Sequence, residues 1–178
     1  MSTQPNEKIN ISVDILKNIN EVDLADLCNI TEQAIKAGGG FGWLRVPTRE
    51  ILNQYWKKKL DESHNSLIVG RLNGIIAGTL QLSYEKSNIE SRKNIAQIKR
   101  QFVAPWARGY GLAKSMIDYS ENKSKEDNIK SIQLAVRETQ DAAIQLFTDK
   151  DYKIWGENPY YAFINGSFVK GIYFFKNL

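Results

Sequence analysis

The sequence is poor in the residues that carry disulfide, redox and metal chemistry. Its 178 residues include one cysteine, Cys28, and one histidine, His64. A single cysteine cannot form an internal disulfide and suits a reducing compartment. Cys28 falls on the apolar stripe of a predicted helix and His64 among polar residues, so we expect neither to take part in catalysis. No group of histidine, cysteine and acidic residues has metal-ligand spacing, so we predict no metal site.

Long apolar runs and linker-like segments are also missing. No stretch of 18 apolar residues occurs, so we expect no membrane span and no membrane partner. The first eight residues are polar and lack the apolar core of a secretory signal. The chain has only 4 prolines, and we find no repeats or low-complexity tracts. We therefore predict one domain over residues 1–178 and a cytoplasmic location.

The charge balance is mildly basic, with a net charge of +4 at pH 7 and an isoelectric point of about 9.0. Lysines are spread along the chain, and the one tight run, Lys57 to Lys59, falls on the outer face of a predicted helix. Nucleic-acid binders concentrate basic residues on one face, so we expect no nucleic-acid partner. A modest positive balance also suits an anionic cofactor.

Hydrophobic periodicity predicts alternating strands and helices. Asn20 is a predicted helix cap, Gly38 a predicted helix end, and Thr139 a predicted cap of a short late helix. The strands fall at 9–15, 66–72, 75–84, 95–103, 129–136, 160–164 and 168–175, and the helices at 20–37, from 47 or 48 to 60, 109–125 and 140–150. Asn73-Gly74 and Asn165-Gly166 predict two-residue hairpin turns. The order predicts an α/β or α+β fold, a mixed sheet of about seven strands with helices on both faces.

The most informative segment joins a predicted strand to a predicted helix at residues 103–113. It reads Val-Ala-Pro-Trp-Ala-Arg-Gly-Tyr-Gly-Leu-Ala. Such an order aims several backbone amides at one spot, at the positive end of a helix, where an anion such as a phosphate binds. Gly109 and Gly111 would let a ligand approach the main chain. The plainer alternative is that these glycines only close a tight turn.

Arg108-Gly109-Tyr110-Gly111-Leu112-Ala113 fits the pattern Arg/Gln-x-x-Gly-x-Gly/Ala, which is the pyrophosphate motif of the GCN5-related N-acetyltransferases (GNAT). The preceding Val103-x-Pro105 also matches that family. The sequence resembles the family over most of its length. Within it, the glycine-rich loop 38–43 and the segments 78–82 and 172–176 are similar to the tabtoxin-resistance type of acetyltransferase.

The resemblance implies a GNAT fold with a splayed and bulged motif strand, and acetyl-CoA as cofactor. The backbone amides of the motif, at Arg108, Gly109, Tyr110, Gly111, Leu112 and Ala113, would hold the pyrophosphate. The main chain at Phe102 and Val103 would pair with the pantetheine arm. Gln140 stands where the family usually has an asparagine, and it is the remaining predicted cofactor contact.

The sequence departs from the family at its catalytic positions. Gln97 stands where a glutamate base is common, and a glutamine cannot take a proton. Phe147 replaces the tyrosine that usually protonates the leaving thiolate. If other residues serve instead, Tyr161 is the candidate acid, and Tyr110, Tyr152 and Tyr160 are weaker candidates. Glu138 and Glu85 are the candidate bases. The plain alternative for Tyr161 is an aromatic residue that packs across strands or in the core.

Two other interpretations stay open. A substrate amine of lowered pKa needs no dedicated acid or base, and positioning alone would then drive the transfer. Alternatively, the chain binds acetyl-CoA but transfers slowly or not at all.

The acceptor site is predicted from position alone. The family places one wall of this site between the first two helices, which makes Phe41 and Trp43 candidate substrate contacts. The plain alternative is a helix connector with Trp43 anchored in the core. Gln97 and Gln101 of the motif strand are the other candidates, although Gln101 equally suits a hydrogen bond to a neighbouring loop.

The sequence thus predicts an acetyl-CoA-dependent N-acetyltransferase that acts by direct attack in a ternary complex. The expected acceptor is a primary amine of a small molecule, such as an amino-acid-like compound, a polyamine or an antibiotic. The alternatives are an acetyl-CoA-binding or sensing module and an enzyme that modifies protein N-termini or lysines. Many relatives pair, so the resemblance also leaves a homodimer open.

Overall fold

The computed structural model describes residues 9–39, 41–85 and 89–178. In these residues, four α-helices and seven strands follow one another in the predicted order. The elements are β1 Ile11–Ile15, α1 Glu21–Lys36, α2 Arg49–Asp61, β2 Asn65–Leu72, β3 Ile75–Tyr84, β4 Ile95–Val103, α3 Leu112–Glu126, β5 Ser131–Arg137, α4 Asp141–Asp149, β6 Lys153–Ile164 and β7 Ser167–Asn177. Within the described ranges, no helix combines the length and hydropathy that a membrane span requires.

The strands form one mixed sheet in the order β1-β2-β3-β4-β5-β7-β6, which confirms the predicted fold class. Only β4 and β5 pair in parallel, with α3 as their crossover. Helices cover both faces. On β3, a Cβ at Gly78 would meet Met116 of α3 at 2.9 Å, whereas Gln81 donates from Nε2 to the Tyr55 hydroxyl of α2 at 3.0 Å. Residues an odd number apart on a strand face opposite sides, so α2 and α3 lie on opposite faces.

Local sequence signals predicted where most of the helices and strands begin or end. Asn20 caps α1, accepting from the Asp23 amide at 2.8 Å, and Thr48 rather than Pro47 caps α2. Both predicted Asn-Gly turns have positive φ at their two residues, as hairpin turns of this kind require. The prediction for Thr139 was wrong, because Gln140 occupies the cap position of α4 and makes no side-chain cap hydrogen bond.

The last hairpin is longer than its sequence predicts. β6 begins at Lys153 rather than at 160, and β7 continues to Asn177. Gly156 and Pro159 weaken the local strand pattern, but β6 is an edge strand, where a missing ladder donor is tolerated. Two register shifts against β7, at Ile154/Gly156 and at Asn158/Ala162, accommodate this stretch.

Candidate active site

The sheet opens between its two parallel strands. β4 and β5 pair only from Ile95–Ser131 to Gln97–Gln133, and the strands diverge beyond that point. On the other side of β4, the register with β3 shifts between Thr79 and Gln81, where β4 carries an extra residue. Arg100 lies in this bulge with φ +47°. The splay and bulge that the family resemblance implies are therefore present.

A cavity of about 800 Å³ fills the cleft. Its walls are formed by β4 at 97–101, β5 at 133–137, the α1–α2 loop at 41, 42 and 44, the α4 region at 140, 143 and 147, and the β6–β7 hairpin at 155, 161–164 and 173. Ligands of α/β proteins bind where neighbouring strands part at their carboxyl ends, which is where this cavity lies. Its volume lies within the range of small-molecule sites.

The turn after β4 presents unused amide donors. Gly109 and Gly111 have φ of +85° and +80°, and Gly111 is the N-cap of α3. The first helical bond runs from the Ser115 amide to the Gly111 carbonyl at 3.0 Å. In the described part of the chain, the six amides of residues 109–114 have no acceptor. Unpaired amides at a helix N-terminus form an anion site.

The turn has room for the predicted pyrophosphate. A Cβ built on either Gly109 or Gly111 would meet nothing within 4 Å, so the space beside the amides is open. The side chain of Leu112 is 1% exposed and packs towards Gly70 of β2. Leu112 can therefore contribute only its amide. The Arg108 amide, which the sequence also assigned to the pyrophosphate, donates instead to the Pro105 carbonyl at 3.4 Å. Its exposed side chain adds positive charge at the start of the turn.

The edge of β4 that faces β5 is free next to this turn. Beyond Gln97, that edge has no strand partner among the described residues, whereas Phe102 and Val103 still pair with Thr79 and Gly78 on the β3 side. An extended ligand can add to such an edge through main-chain hydrogen bonds. The predicted pairing of Phe102 and Val103 with a pantetheine arm fits this edge, and stays a prediction.

The loop between α1 and α2 is anchored to the far wall of the cavity. Arg137 donates from Nη2 to the Phe41 carbonyl at 3.0 Å, and Gln140 donates from Nε2 to the Gly38 carbonyl at 3.2 Å. Phe41 is 3% exposed and its ring packs edge-on against Phe102 at 5.0 Å. Phe41 therefore forms part of the wall of the cavity, and Gln140 is tethered to the loop.

Trp43 lies away from the cavity lining. Its ring stacks on Phe41 at 6.1 Å and packs edge-on against Tyr55 at 5.0 Å. This placement corresponds to the core-anchor alternative for Trp43, and its predicted substrate contact gains no support from it. Gln97 and Gln101, in contrast, both line the cavity.

Tyr161, the candidate acid, lines the cavity. Its ring lies against Gly171 of β7, where an added Cβ would meet the ring at 2.4 Å, and edge-on to Tyr173 at 6.1 Å. Burial and the neighbouring Tyr173 raise the pKa of the Tyr161 hydroxyl, against the opposing effect of Arg137 and Arg100. At neutral pH the hydroxyl is therefore protonated.

The two predicted bases lie elsewhere. Glu138 accepts the Lys170 amide at 2.9 Å, lies 3.9 Å from the same residue's Nζ, and is not among the residues that line the main cavity. Glu85 pairs with Arg92 at 3.1 Å and lines a second cavity of about 390 Å³, which shares Gln97 and Lys99 with the first. This geometry favours neither carboxylate as a base in the main cavity.

Phe147 also lines the main cavity, although it is 1% exposed. It packs against Tyr152 at 5.1 Å and Phe174 at 6.1 Å. Phe147 therefore contributes an aromatic packing contact to the cavity wall and has no hydroxyl to offer.

Several residues that line the cavity were not predicted as site residues from the sequence, among them Lys99, Arg100, Arg137 and Tyr173. Arg137 is the last residue of β5, at the carboxyl end of a strand, and that position was a usable signal. Arg100 interrupts the apolar pattern of β4. Its inward position depends on the bulge, which the sequence pattern alone does not reveal.

The chain was compared with known families and structures. The model of the acetyltransferase (GNAT) family matches residues 29–151. An uncharacterised N-acetyltransferase from the hisH-hisA intergenic region of Azospirillum brasilense is 42% identical over 130 residues, covering 73% of this chain and 77% of the relative.

Solved structures share the fold at low identity. An N-acetyltransferase from Staphylococcus aureus Mu50 has a TM-score of 0.78 at 15% identity, covering 94% of this chain and 98% of that one. The Salmonella typhimurium protein yncA, solved with its cofactor acetyl-CoA, has a TM-score of 0.76 at 12% identity, covering 94% of each chain. These structures match the architecture, while the family model and the curated relative identify the family. This chain belongs to the GNAT acetyltransferase family and is an acyltransferase that uses acetyl-CoA as its donor.

Proposed function

We propose that this chain transfers the acetyl group of acetyl-CoA to the primary amine of a small molecule, by direct attack in a ternary complex. The observation that carries the proposal is the cleft between β4 and β5. It joins a free strand edge, a cavity of about 800 Å³ and, just after β4, a turn with open amides. A small acceptor suits a cavity of this volume.

The donor site would be formed almost entirely by main chain. The amides of residues 109–114 would hold the pyrophosphate at the positive end of the 15-residue helix α3. The exposed Arg108 would add a further charge beside it. Phe102 and Val103 would align the pantetheine arm along β4. Since Gln140 is tethered to the loop at Gly38, its contribution would be to hold the wall beside the donor.

The chemistry requires a neutral amine. Acetyl-CoA, when bound, supplies the acetyl group and a thiol leaving group. As the new carbon–nitrogen bond forms and the carbon–sulfur bond breaks, the amine loses one proton and the sulfur gains one. The Tyr161 hydroxyl, protonated at neutral pH, is the candidate donor of that proton. None of the residues described as lining the cavity is a carboxylate, which favours loss of the amine proton to water.

A thiol-release assay over a panel of primary amines tests the function. We expect acetyl-CoA-dependent thiol release with at least one small amine, and a matching N-acetyl product by mass spectrometry. Binding of acetyl-CoA in calorimetry, with no thiol release on any amine, would favour the binding-module alternative. Release with peptides alone would favour a protein acetyltransferase.

Placing at position 147 the tyrosine that the family usually has there tests whether this part of the cavity lies beside the leaving thiolate. We expect Phe147→Tyr to keep or raise kcat, because the new hydroxyl would extend from a residue that lines the cavity. A hydroxyl left unpaired in the core would instead cost about 1–3 kcal/mol of unfolding free energy. Steady-state kinetics and thermal unfolding separate the outcomes. A large fall in kcat with a lowered Tm would assign Phe147 a packing role only.

A further inference from the structure

The main cavity carries positive charge only. Three cations line it, Lys99 and Arg100 from β4 and Arg137 from β5, and none of the lining residues that the structure describes is Asp, Glu or His. Charges in a partly enclosed cavity are screened less than on an open surface, because protein replaces much of the water. A ligand in this cavity therefore experiences a positive field that no carboxylate of its lining offsets.

The two arginines are exceptional among the half-buried cations of the described residues. Six such cations have a carboxylate within 4.0 Å: Lys59, Arg71, Lys123, Lys150, Lys170 and Lys176. Arg100 and Arg137 are the other two, and neither has a carboxylate partner within the described ranges. A half-buried cation without a counter-ion is costly, so a protein usually pairs it. Here the unpaired cations coincide with the cavity.

Their remaining contacts leave donors unused. The Arg100 guanidinium lies 5.9 Å from the centre of the Tyr55 ring and makes no hydrogen bond with another described residue. Arg137 donates a single hydrogen bond, to the Phe41 carbonyl at 3.0 Å. A guanidinium has five N–H donors in a planar fork that matches a carboxylate or phosphonate. Both residues can therefore bind an anion without giving up a contact.

The fold brings the two arginines to the same cleft from opposite strands. Arg100 is in the bulge of β4, and Arg137 ends β5 beyond the point where the strands part. Both act on the hydroxyl of Tyr161, whose pKa is raised by burial and lowered by these two cations. The donor pyrophosphate, on the proposed pose, lies at the amides of residues 109–114, none of which lines the cavity. The arginines are thus free for the acceptor.

We infer that the acceptor is a small primary amine that also carries a carboxylate or phosphonate, and that Arg100 and Arg137 bind this anionic group. The inference rests on the proposed acetyl transfer to a small amine and narrows its acceptor class. Amino-acid-like amines fit, whereas polyamines and other polycationic amines are repelled by the three lining cations.

Matched acceptor pairs test the inference on the wild-type enzyme. L-Amino acids are compared with their carboxamides, and 2-aminoethylphosphonate with ethanolamine; spermidine is the polycation. All acceptors are assayed at one pH by thiol release. Where the enzyme uses a pair of acceptors, kcat/KM should be at least about tenfold higher for the anionic acceptor than for its neutral counterpart, as expected for a charged hydrogen bond. The carboxamides have the less basic amine and hence more neutral nitrogen, so this bias opposes the expected result.

Variants of the arginines test the assignment. Arg100→Gln and Arg137→Gln should each raise the KM of the anionic acceptor about tenfold or more, with a smaller change in kcat and an unchanged Kd for acetyl-CoA. Arg100→Gln is easier to interpret than Arg137→Gln, because the Arg100 guanidinium donates no hydrogen bond to a loop carbonyl. Lys130→Gln removes one charge from an exposed residue outside the cavity and should leave all constants unchanged.

The failures are distinguishable. Thiol release that prefers the neutral members or spermidine overturns the inference and leaves the proposed function intact. Arginine variants that weaken acetyl-CoA binding, and not the acceptor, also overturn it. No thiol release from any amine overturns the proposed function, and the inference with it.

Discussion

Replacement of Gly111 by glutamate is expected to weaken acetyl-CoA binding at least about 100-fold, since a like charge beside a phosphate costs several kcal/mol. Gly111 is the N-cap of α3, with φ +80° and open space around it. A glutamate there would place a carboxylate next to the amides that we assign to the pyrophosphate. It would also strain the turn, because a side chain disfavours this backbone conformation by about 1–2 kcal/mol.

The control separates strain from charge. Gly74, in the β2–β3 turn, has φ +86° and equally open surroundings, and it lines neither cavity. Gly74→Glu should lower stability by a similar amount and leave acetyl-CoA affinity unchanged. Calorimetric titration with acetyl-CoA and thermal unfolding of both variants provide the comparison. Near-normal affinity in folded Gly111→Glu would refute the placement of the pyrophosphate.

Removal of the Tyr161 hydroxyl is expected to lower kcat about 100-fold, the lower end of what a general acid contributes. The KM for acetyl-CoA should change little, because the proposed donor contacts are made by main chain elsewhere. The hydroxyl has no hydrogen bond to another described residue, so Tyr161→Phe should unfold at the wild-type temperature. This combination would distinguish an acid from an aromatic packing residue.

The pH dependence has a defined direction. A general acid must be protonated, and burial raises the pKa of Tyr161 above its ordinary value of 10.0. The wild-type rate should therefore rise with pH as the amine loses its proton, with no fall up to about pH 9. Steady-state rates across this range test the assignment.

Two neighbouring tyrosines supply the controls. Tyr160→Phe should leave kcat unchanged, since Tyr160 is 70% exposed and packs on Phe168 outside the cavity lining. Tyr173→Phe removes the other hydroxyl of the cavity. If Tyr173→Phe loses kcat and Tyr161→Phe does not, the acid has been assigned to the wrong residue.

Local patterns carried most of the fold prediction. A helix cap and a hairpin turn depend on hydrogen bonds and φ angles within their own segments. The cap at Asn20 and the turns at Asn73-Gly74 and Asn165-Gly166 could therefore be predicted without a tertiary structure. Thr139 shows the limit of this reasoning, because Gln140 rather than Thr139 occupies the cap position of α4. The sequence also failed to predict the part of β6 before residue 160, because pairing with β7 overrides a weak local strand pattern there.

The donor side of the site was more accessible to sequence reasoning than the acceptor side. A phosphate turn is a continuous segment whose glycines and helix start are adjacent in the chain, so residues 108–113 describe it alone. The acceptor wall is assembled from β4, β5, α4, β6, β7 and the α1–α2 loop. Family position left two roles open for Trp43, a substrate contact and a core anchor, and its packing on Phe41 and Tyr55 corresponds to the second.

By itself, the amino-acid order determined the family, the element sequence and the turn that suits a diphosphate, because each depends on residues close together in the chain. The tertiary structure decided the charge of the cavity. Arg100, in the bulge of β4, and Arg137, beyond the point where β4 and β5 part, both line the cavity. Glu138 lies outside the lining and accepts from the Lys170 amide. These relations join residues that are distant in sequence, and only the packed sheet brings them together.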